Sequence, residues 1–286
     1  MNTRKPEILS ALTTPFSSDG EILVDALKAN MTRLEKLVDG LFFLGATGEF
    51  PAISPAEHGR LVEMAMGVFG PDRVVVHVGS ASTLQSLELT RVARNLGAKR
   101  FAAITPYFLK ASVDGIFRHW AALKEASGGE FYGYINPDVA LTDLLPEDLP
   151  AVLVSGIDGI KISTAASSRV AEYIASAPEG FKVWSGNDAD LPNVLALGGV
   201  GTVSGCSSSC PQPWADFRDA YQAGDREALA DAQRRIEIIV SAIGPSIAAL
   251  KVAQDLQGII GGACRMSIDS ADEDAIRAAL SAANCL

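Results

Sequence analysis

Short apolar runs alternate along this chain with longer stretches in which apolar residues recur every three or four positions. The short runs predict β-strands and the longer stretches predict amphipathic helices. Eight strands are predicted, at Ile8–Leu12, Gly40–Leu44, Arg73–Val78, Arg100–Ile104, Phe131–Ile135, Ile157–Ile162, Lys182–Trp184 and Gly199–Val203. The helical patterns between them cover Val24–Val38, Ser54–Phe69, Thr83–Leu96, Val113–Ala126, Ser167–Ala177 and Asp188–Leu197.

This alternation favours parallel strands joined by crossover helices, and eight such strands predict an α/β fold, the (β/α)8 TIM barrel. An open doubly wound sheet is the competing architecture, but its glycine-rich phosphate-binding turn is missing after the first strand. Four further helical patterns follow the last strand, at Pro211–Ala223, Asp225–Ile243, Ser246–Gln257 and Ala271–Ala283. We therefore predict a barrel over residues 1–210 and additional C-terminal helices over residues 211–286, packed on the barrel as a single structural unit.

The composition fits a large folded domain and argues against several functions. The 286 residues are 48% hydrophobic and 20% charged, with a formal net charge of -10. We expect no binding of nucleic acid, because that binding depends on Lys and Arg neutralising phosphates. Neither a signal peptide nor a membrane-spanning apolar run is found, so we expect a cytoplasmic protein without a membrane partner. The four cysteines lack the spacing of a zinc site, and no metal is expected.

Polar residues at the carboxyl ends of the predicted strands are the candidates for chemistry, because active sites of this fold lie there. The sharpest candidate is Lys161, which interrupts the apolar sixth strand. Burial favours the neutral amine, the form that condenses with carbonyl compounds to give a Schiff base. The alternative is a structural lysine that reaches solvent or pairs with Asp158 or Asp188.

Two other strand ends carry weaker signals. The second strand runs into Gly45-Ala-Thr-Gly-Glu49, where Thr47 and free backbone N–H groups can hold a carboxylate. Tyr134 lies in the fifth strand, directly before Ile135, Asn136 and Pro137. Each also has an ordinary structural interpretation, as a tight turn or as a core aromatic residue.

Taken in order, these strand ends resemble the dihydrodipicolinate synthase and N-acetylneuraminate lyase family of pyruvate-dependent class I aldolases. The resemblance rests on Gly-Ala-Thr-Gly-Glu at 45–49, Thr-Pro-Tyr at 105–107, Tyr134 with Pro137, Gly159-Ile-Lys161, Ser-Gly-Asn-Asp at 185–188 and Gly201-Thr-Val-Ser204. It implies that Lys161 forms the Schiff base with a 2-keto acid and that Tyr134 shuttles protons. It also implies substrate binding by Ala46, Thr47, Gly48, Gly186 and Val203. Since the imine itself is the electron sink, the resemblance implies no cofactor beyond this covalent imine.

Three positions differ from a typical dihydrodipicolinate synthase. Ala46 replaces a second hydroxyl residue, Phe108 replaces a tyrosine that reaches in from a neighbouring subunit, and Val139 stands where an arginine holds the aldehyde's carboxylate. We therefore expect another lyase, which cleaves or forms a 2-keto acid such as a 2-keto-3-deoxy sugar acid, with pyruvate and an aldehyde as partners. The family commonly forms tetramers, so a homo-oligomer, either a dimer or a homotetramer, is also expected.

Four alternatives stay open at this point. A keto-deoxy sugar acid dehydratase would start from the same imine, and a 4-hydroxy-tetrahydrodipicolinate synthase belongs to the same family. A catalytically silent barrel would bind a keto acid without turnover. A barrel enzyme outside the family would use Glu49 and Asp188 as a general acid–base pair.

Overall fold

Eight parallel strands close into a barrel in chain order, because the eighth strand pairs with the first. The structure is a computed structural model that describes residues 5–286, so the first four residues of the predicted barrel segment 1–210 lie outside it. The strands are β1 Glu7–Ala11, β2 Gly40–Phe43, β3 Val74–His77, β4 Arg100–Ile104, β5 Glu130–Ile135, β6 Gly159–Ile162, β7 Lys182–Ser185 and β8 Gly201–Ser204. The predicted (β/α)8 barrel is confirmed.

Helices cover the outside of the barrel and continue beyond its last strand. They are α1 Val24–Leu34, α2 Pro55–Phe69, α3 Thr83–Asn95, α4 Val113–Ser127, α5 Pro137–Ala140, α6 Leu149–Leu153, α7 Val170–Ser176, α8 Leu191–Ala196, α9 Gln212–Ala223, α10 Arg226–Ile243, α11 Ile247–Leu256 and α12 Glu273–Ala282. The short helices α5 and α6 were not predicted, because four or five residues are too few to show a helical period.

Several predicted boundaries differ from the observed ones by two or three residues. The helices predicted from Ser167 and Asp188 begin at Val170 and Leu191, because 3₁₀ turns precede them. The sixth strand begins at Gly159 rather than Ile157. The carboxylate of Asp158 lies outside that strand and accepts hydrogen bonds from the Phe131 backbone N–H and from Lys124.

Alternation along each strand separates two apolar layers. In β6, Ile160 and Ile162 belong to the outer core between the barrel and its helices. Lys161 lies between them in sequence and therefore points into the barrel, like Tyr134, which belongs to the inner cluster. The outer layer is tightly packed at β5, since a Cβ at Gly133 would lie 2.5 Å from the ring of Trp120.

The C-terminal helices are attached to the carboxyl end of the barrel by hydrogen bonds and an ion pair. The indole of Trp214 in α9 donates to Asp188 (3.2 Å), and Gln233 in α10 donates to the Ala189 carbonyl (3.0 Å). Lys251 in α11 pairs with Glu49 after β2, at 2.7 Å. These contacts place the corner between α10 and α11 over the end of the barrel at which the candidate residues lie.

No single helix in residues 5–286 has the length and apolar character needed to cross a membrane. Helices α10 and α11 would meet that length and composition only together, and the chain bends by 116° between them.

Candidate active site

A cavity of about 590 Å³ opens at the carboxyl ends of the strands. Among the predicted site residues, Ala46, Thr47, Tyr134, Lys161, Gly186 and Val203 line it. Gly48 does not, because it is buried behind the turn, where its carbonyl accepts a hydrogen bond from the Thr14 hydroxyl (2.9 Å). The barrel thus brings residues from five strands or strand ends to one chamber.

Lys161 is the one cation among the described residues that line this cavity, and only 7% of it is exposed. It lies beside Tyr134 in the register of β5 and β6, and its Nζ is 3.8 Å from the centre of the Tyr134 ring. The prediction that Lys161 is a structural lysine paired with Asp158 or Asp188 is wrong, because both carboxylates have other partners. Asp158 accepts from Lys124 (2.6 Å), and Asp188 accepts from hydroxyl and indole donors, so within residues 5–286 no ion pair holds Lys161.

The phenol of Tyr134 is buried and is oriented by a side chain two residues further along the chain. Nδ2 of Asn136 donates to the Tyr134 hydroxyl oxygen at 2.9 Å. The Asn136 amide oxygen in turn accepts from the Thr164 hydroxyl (3.2 Å). Because the phenol oxygen accepts this hydrogen bond, its own proton is available to a group in the cavity. Sequence reasoning gave Asn136 no role, although its place directly after a strand end was a usable signal.

The turn that carries Ala46 and Thr47 is followed by Glu49, whose buried carboxylate stabilises it. Residues Ala46–Gly48 form a 3₁₀ turn, and Glu49 follows with φ of +57°. The Glu49 carboxylate binds Lys251 and accepts the backbone N–H groups of Arg265 and Met266, both at 2.8 Å. Glu49 is fully buried in these contacts and does not line the cavity, so it cannot serve in an acid–base pair with Asp188.

Gly186 leaves space next to the lysine. A Cβ at this position would lie 2.6 Å from the Ser163 hydroxyl and 3.6 Å from Cε of Lys161. Any side chain here would therefore compete with a group bound to the amine. Val203 faces the same chamber from β8, the strand next to β7, and is 3% exposed.

Asp188 is buried at the floor of the β7 loop. It accepts from the hydroxyls of Thr202 and Ser204, each at 2.6 Å, and from the Trp214 indole. Burial raises the pKa of the Asp188 carboxyl, while these three hydrogen bonds act in the opposite direction. Because its donors belong to β8 and α9, Asp188 connects the end of β7 to both elements.

Two of the three unusual positions lie apart from the lysine. Val139 is on the rim of the cavity and is half-exposed, and Phe108 is outside the cavity with 82% of its surface exposed. Ala46 lines the cavity with a methyl group where a hydroxyl was expected from the family pattern.

A second cavity, of about 610 Å³, lies at the opposite end of the barrel. It is lined by charged residues such as Glu7, Arg100, Glu130 and Lys182. Arg100 binds Glu7 at 2.9 Å and Lys182 binds Glu130 at 3.0 Å, so these charges neutralise one another. The amino-terminal end of this fold serves stability, and we place the site at the carboxyl end. No group of three or more His, Cys, Asp or Glu side chains in the described part of the chain is arranged to hold a metal ion.

The closed barrel and the chamber at its carboxyl end define the class of protein as a (β/α)8-barrel enzyme. Residues 5–283 match the model of the Dihydrodipicolinate synthetase family, and the chain belongs to this family. The resemblance seen in the sequence is confirmed, and the chain is a lyase of the aldolase type.

Individual relatives agree with this assignment. A 4-hydroxy-tetrahydrodipicolinate synthase from Maridesulfovibrio salexigens is 34% identical over 220 residues, which cover 76% of this chain and 75% of the relative. The crystal structure of YagE from E. coli K12, a prophage protein of the dihydrodipicolinic acid synthase family in complex with pyruvate, has a TM-score of 0.88 at 25% identity, covering 98% of this chain and 99% of that one. A Ruminococcus gnavus sialic acid aldolase shares the fold, with a TM-score of 0.87 at 20% identity over 100% of this chain and 96% of its own.

Proposed function

We propose that this protein is a Schiff-base-forming aldolase that cleaves or forms a 4-hydroxy-2-keto acid, with pyruvate and an aldehyde as the two fragments. The observation that carries the proposal is Lys161, a buried lysine without an ion pair in the described chain, facing the Tyr134 ring across 3.8 Å. A buried, unpaired amine in a cavity is suited to attack a ketone, because little has to be displaced before it reacts. The pyruvate in the YagE complex is consistent with a 2-keto acid as the substrate.

The cleavage reaction can be written with these side chains. The Lys161 amine adds to the C2 carbonyl of the keto acid, and loss of water leaves a protonated imine. The C3–C4 bond then breaks, its electron pair moves into an enamine, and the proton of the 4-hydroxyl leaves as the aldehyde forms. Protonation of the enamine at C3 and hydrolysis of the imine release pyruvate and restore the amine.

Two groups assist these steps in the proposal. Tyr134, whose oxygen accepts from Asn136, gives and takes the protons of imine formation and bond cleavage. The Ala46–Gly48 turn and the Thr47 hydroxyl hold the carboxylate of the keto acid. The reaction uses no metal and no cofactor apart from the covalent imine.

A 4-hydroxy-tetrahydrodipicolinate synthase is the second candidate, because the Maridesulfovibrio salexigens relative carries that name. Its aldehyde substrate carries a carboxylate, and the described residues lining the cavity include no cation other than Lys161. The rim position that would hold that carboxylate is Val139. We therefore rank this activity below a different aldolase.

A homo-oligomer, a dimer or a tetramer, is part of the same proposal. Phe108 and the neighbouring Leu109 expose 82% and 75% of their surfaces, which is the kind of apolar pair that subunit packing covers. Light scattering on the purified protein reports the mass directly, and a monomer at micromolar concentration would contradict this part.

Trapping of the imine tests the central step. The protein is incubated with pyruvate, reduced with borohydride and analysed by intact and peptide mass spectrometry. We expect one reduced pyruvyl adduct on Lys161, none in Lys161→Ala, and an unchanged adduct in Lys28→Ala, which removes an exposed lysine of α1. No adduct in the folded wild type would refute the aldolase proposal and favour a barrel that only binds keto acids.

A further inference from the structure

The chamber above Lys161 has two chemically different sides. On the side of β5, β6 and β7 it is lined by the polar side chains of Asn136, Ser163, Thr164 and Asn187. The corner between α10 and α11 lines it beside the end of β8, where a Cβ at Gly205 would lie 3.4 Å from Leu250. The apolar wall, as we call this corner, consists of Val240, Pro245, Ile247 and Leu250.

Hydrogen bonds and an ion pair fix the apolar wall in its position. Ser246 caps α11 by accepting the Ala249 backbone N–H (3.2 Å), which orients Ile247 at the first turn of that helix. The buried Lys251–Glu49 ion pair ties the same helix to the turn that carries Thr47. The wall and the proposed carboxylate pocket are therefore held in one arrangement.

The charges of the lining residues determine which aldehydes this chamber can accept. Lys161 is the only cation among the described lining residues, and in the imine its nitrogen is already bonded to C2 of the keto acid. The carboxyl groups in the lining are those of Asp138, on the rim, and Asp188, in the floor, and the other ionisable groups there, the Tyr134 phenol and the Cys206 thiol, cannot carry a positive charge. A carboxylate or phosphate on the aldehyde would find no positive partner here and would face Asp138 at the entrance.

We propose that the aldehyde fragment handled by this site is uncharged and carries an apolar group, aromatic or branched aliphatic, that packs on the apolar wall. The inference rests on the proposed aldolase function and names its second substrate. The keto acid end already takes the polar contacts at Thr47 and Lys161, so the fragment beyond C4 is the part that reaches Val240 and Ile247. A sugar-derived aldehyde would place hydroxyl groups against these side chains and leave them without hydrogen-bond partners on that side.

Addition of pyruvate to three aldehydes tests this inference. With saturating pyruvate, kcat/KM is measured for benzaldehyde, glyceraldehyde and 4-oxobutanoate, which are apolar, neutral polyhydroxylated and anionic. We expect benzaldehyde to exceed each of the others at least tenfold, since one or two buried carbon groups give discrimination of that size. A higher value for glyceraldehyde or 4-oxobutanoate would overturn the inference.

Two variants and a matched control locate the preference. Ile247→Ala should lower kcat/KM for benzaldehyde about tenfold and leave glyceraldehyde unchanged, whereas Ile260→Ala, at a position 57% exposed and outside the cavity, should change neither. Val139→Lys, on the exposed rim, should raise kcat/KM for 4-oxobutanoate at least tenfold. Equal losses for all aldehydes in Ile247→Ala would count against the apolar wall, and no gain in Val139→Lys would count against the exclusion of anionic aldehydes by charge.

Pyruvate trapping keeps the two proposals apart. Each variant is first tested for the borohydride-reduced adduct on Lys161, which needs no aldehyde. An adduct without the expected aldehyde preference refutes the apolar wall alone. Absence of the adduct in the wild type refutes the aldolase itself.

Discussion

Asn136 links the side chains of Tyr134 and Thr164 at the carboxyl ends of β5 and β6. It donates to Tyr134 and accepts from Thr164, so the direction of its amide group is set by its two neighbours. The hydroxyl proton of Tyr134 is not used in either of these hydrogen bonds. At the scale of the residue, the proposed proton transfer depends on whether this Tyr134 proton can reach the substrate.

Removing the Tyr134 hydroxyl should therefore lower kcat more than removing the Asn136 side chain that binds it. We expect Tyr134→Phe to lower kcat by about 10²–10⁴-fold, the usual contribution of a positioned general acid or base. Asn136→Ala should cost less, and in the Tyr134→Phe background it should cost almost nothing, because its effect passes through the phenol oxygen. Turnover of all four proteins measures this, and additive losses would show that Asn136 acts on the substrate directly.

At the scale of the element, the loop after β2 is joined to α11, although 202 residues separate the two charges. Glu49 and Lys251 expose 0% and 3% of their side chains and meet at 2.7 Å. Two buried charges are tolerated only as a pair, since either one alone pays for desolvation without compensation. This pair positions the Thr47 turn against the corner that forms the apolar wall.

Breaking the pair from one side should destabilise the fold strongly. We expect Lys251→Met to lower the free energy of unfolding by about 3–5 kcal/mol, and the double variant with Glu49→Gln to lose clearly less than the sum of the single changes. Lys28→Met on the surface of α1 is the matched control and should stay within about 0.5 kcal/mol of the wild type. Urea unfolding measures all four, and a loss below about 1 kcal/mol in Lys251→Met would contradict the coupling.

At the scale of the whole molecule, all three histidines are buried, His58 in α2, His77 in β3 and His119 in α4. Burial lowers the pKa of His77 to about 3 and that of His119 to about 4, and it also lowers the pKa of His58. Since the unfolded chain binds these protons near pH 6.5 and the folded chain does not, their contribution to stability is complete above pH 6.5 and is lost as the pH falls toward 4 and 3. The raised pKa of Asp188 works the other way, because its contribution is lost as the pH rises through the folded value.

The contribution of His119 to the pH dependence of stability can be measured separately from that of the other two histidines. His119 contacts the Thr83 hydroxyl at 2.9 Å and is 4% exposed, and glutamine keeps a polar group of similar reach in α4. Between pH 7 and pH 5 we expect the wild type to lose about 2 kcal/mol more unfolding free energy than His119→Gln, the value for one proton taken up only by the unfolded chain. Urea titrations at both pH values measure the difference, and parallel losses in the two proteins would contradict it.

The sequence alone determined the number and order of the strands and which residue carries the candidate chemistry. Apolar runs separated by amphipathic stretches predict β/α units wherever both faces of a strand are covered, and a lysine inside such a run is conspicuous because burial of its charge is costly. Lys161 was identified in this way, and Tyr134 was identified through the family resemblance. The boundaries at Ser167 and Asp188 were less accurate, since 3₁₀ turns and four-residue helices leave no periodic signal.

Only the tertiary structure decided which charges are free and what covers the cavity. Asp158 and Asp188 were plausible partners of Lys161 until Lys124 and Trp214, distant from them in the chain, were seen to bind them. The placement of Ile247 over the chamber depends on contacts between elements that no local pattern encodes. Local sequence sets the preferences of each segment, whereas the partner of a buried polar group is chosen by the packing of segments far apart in the chain.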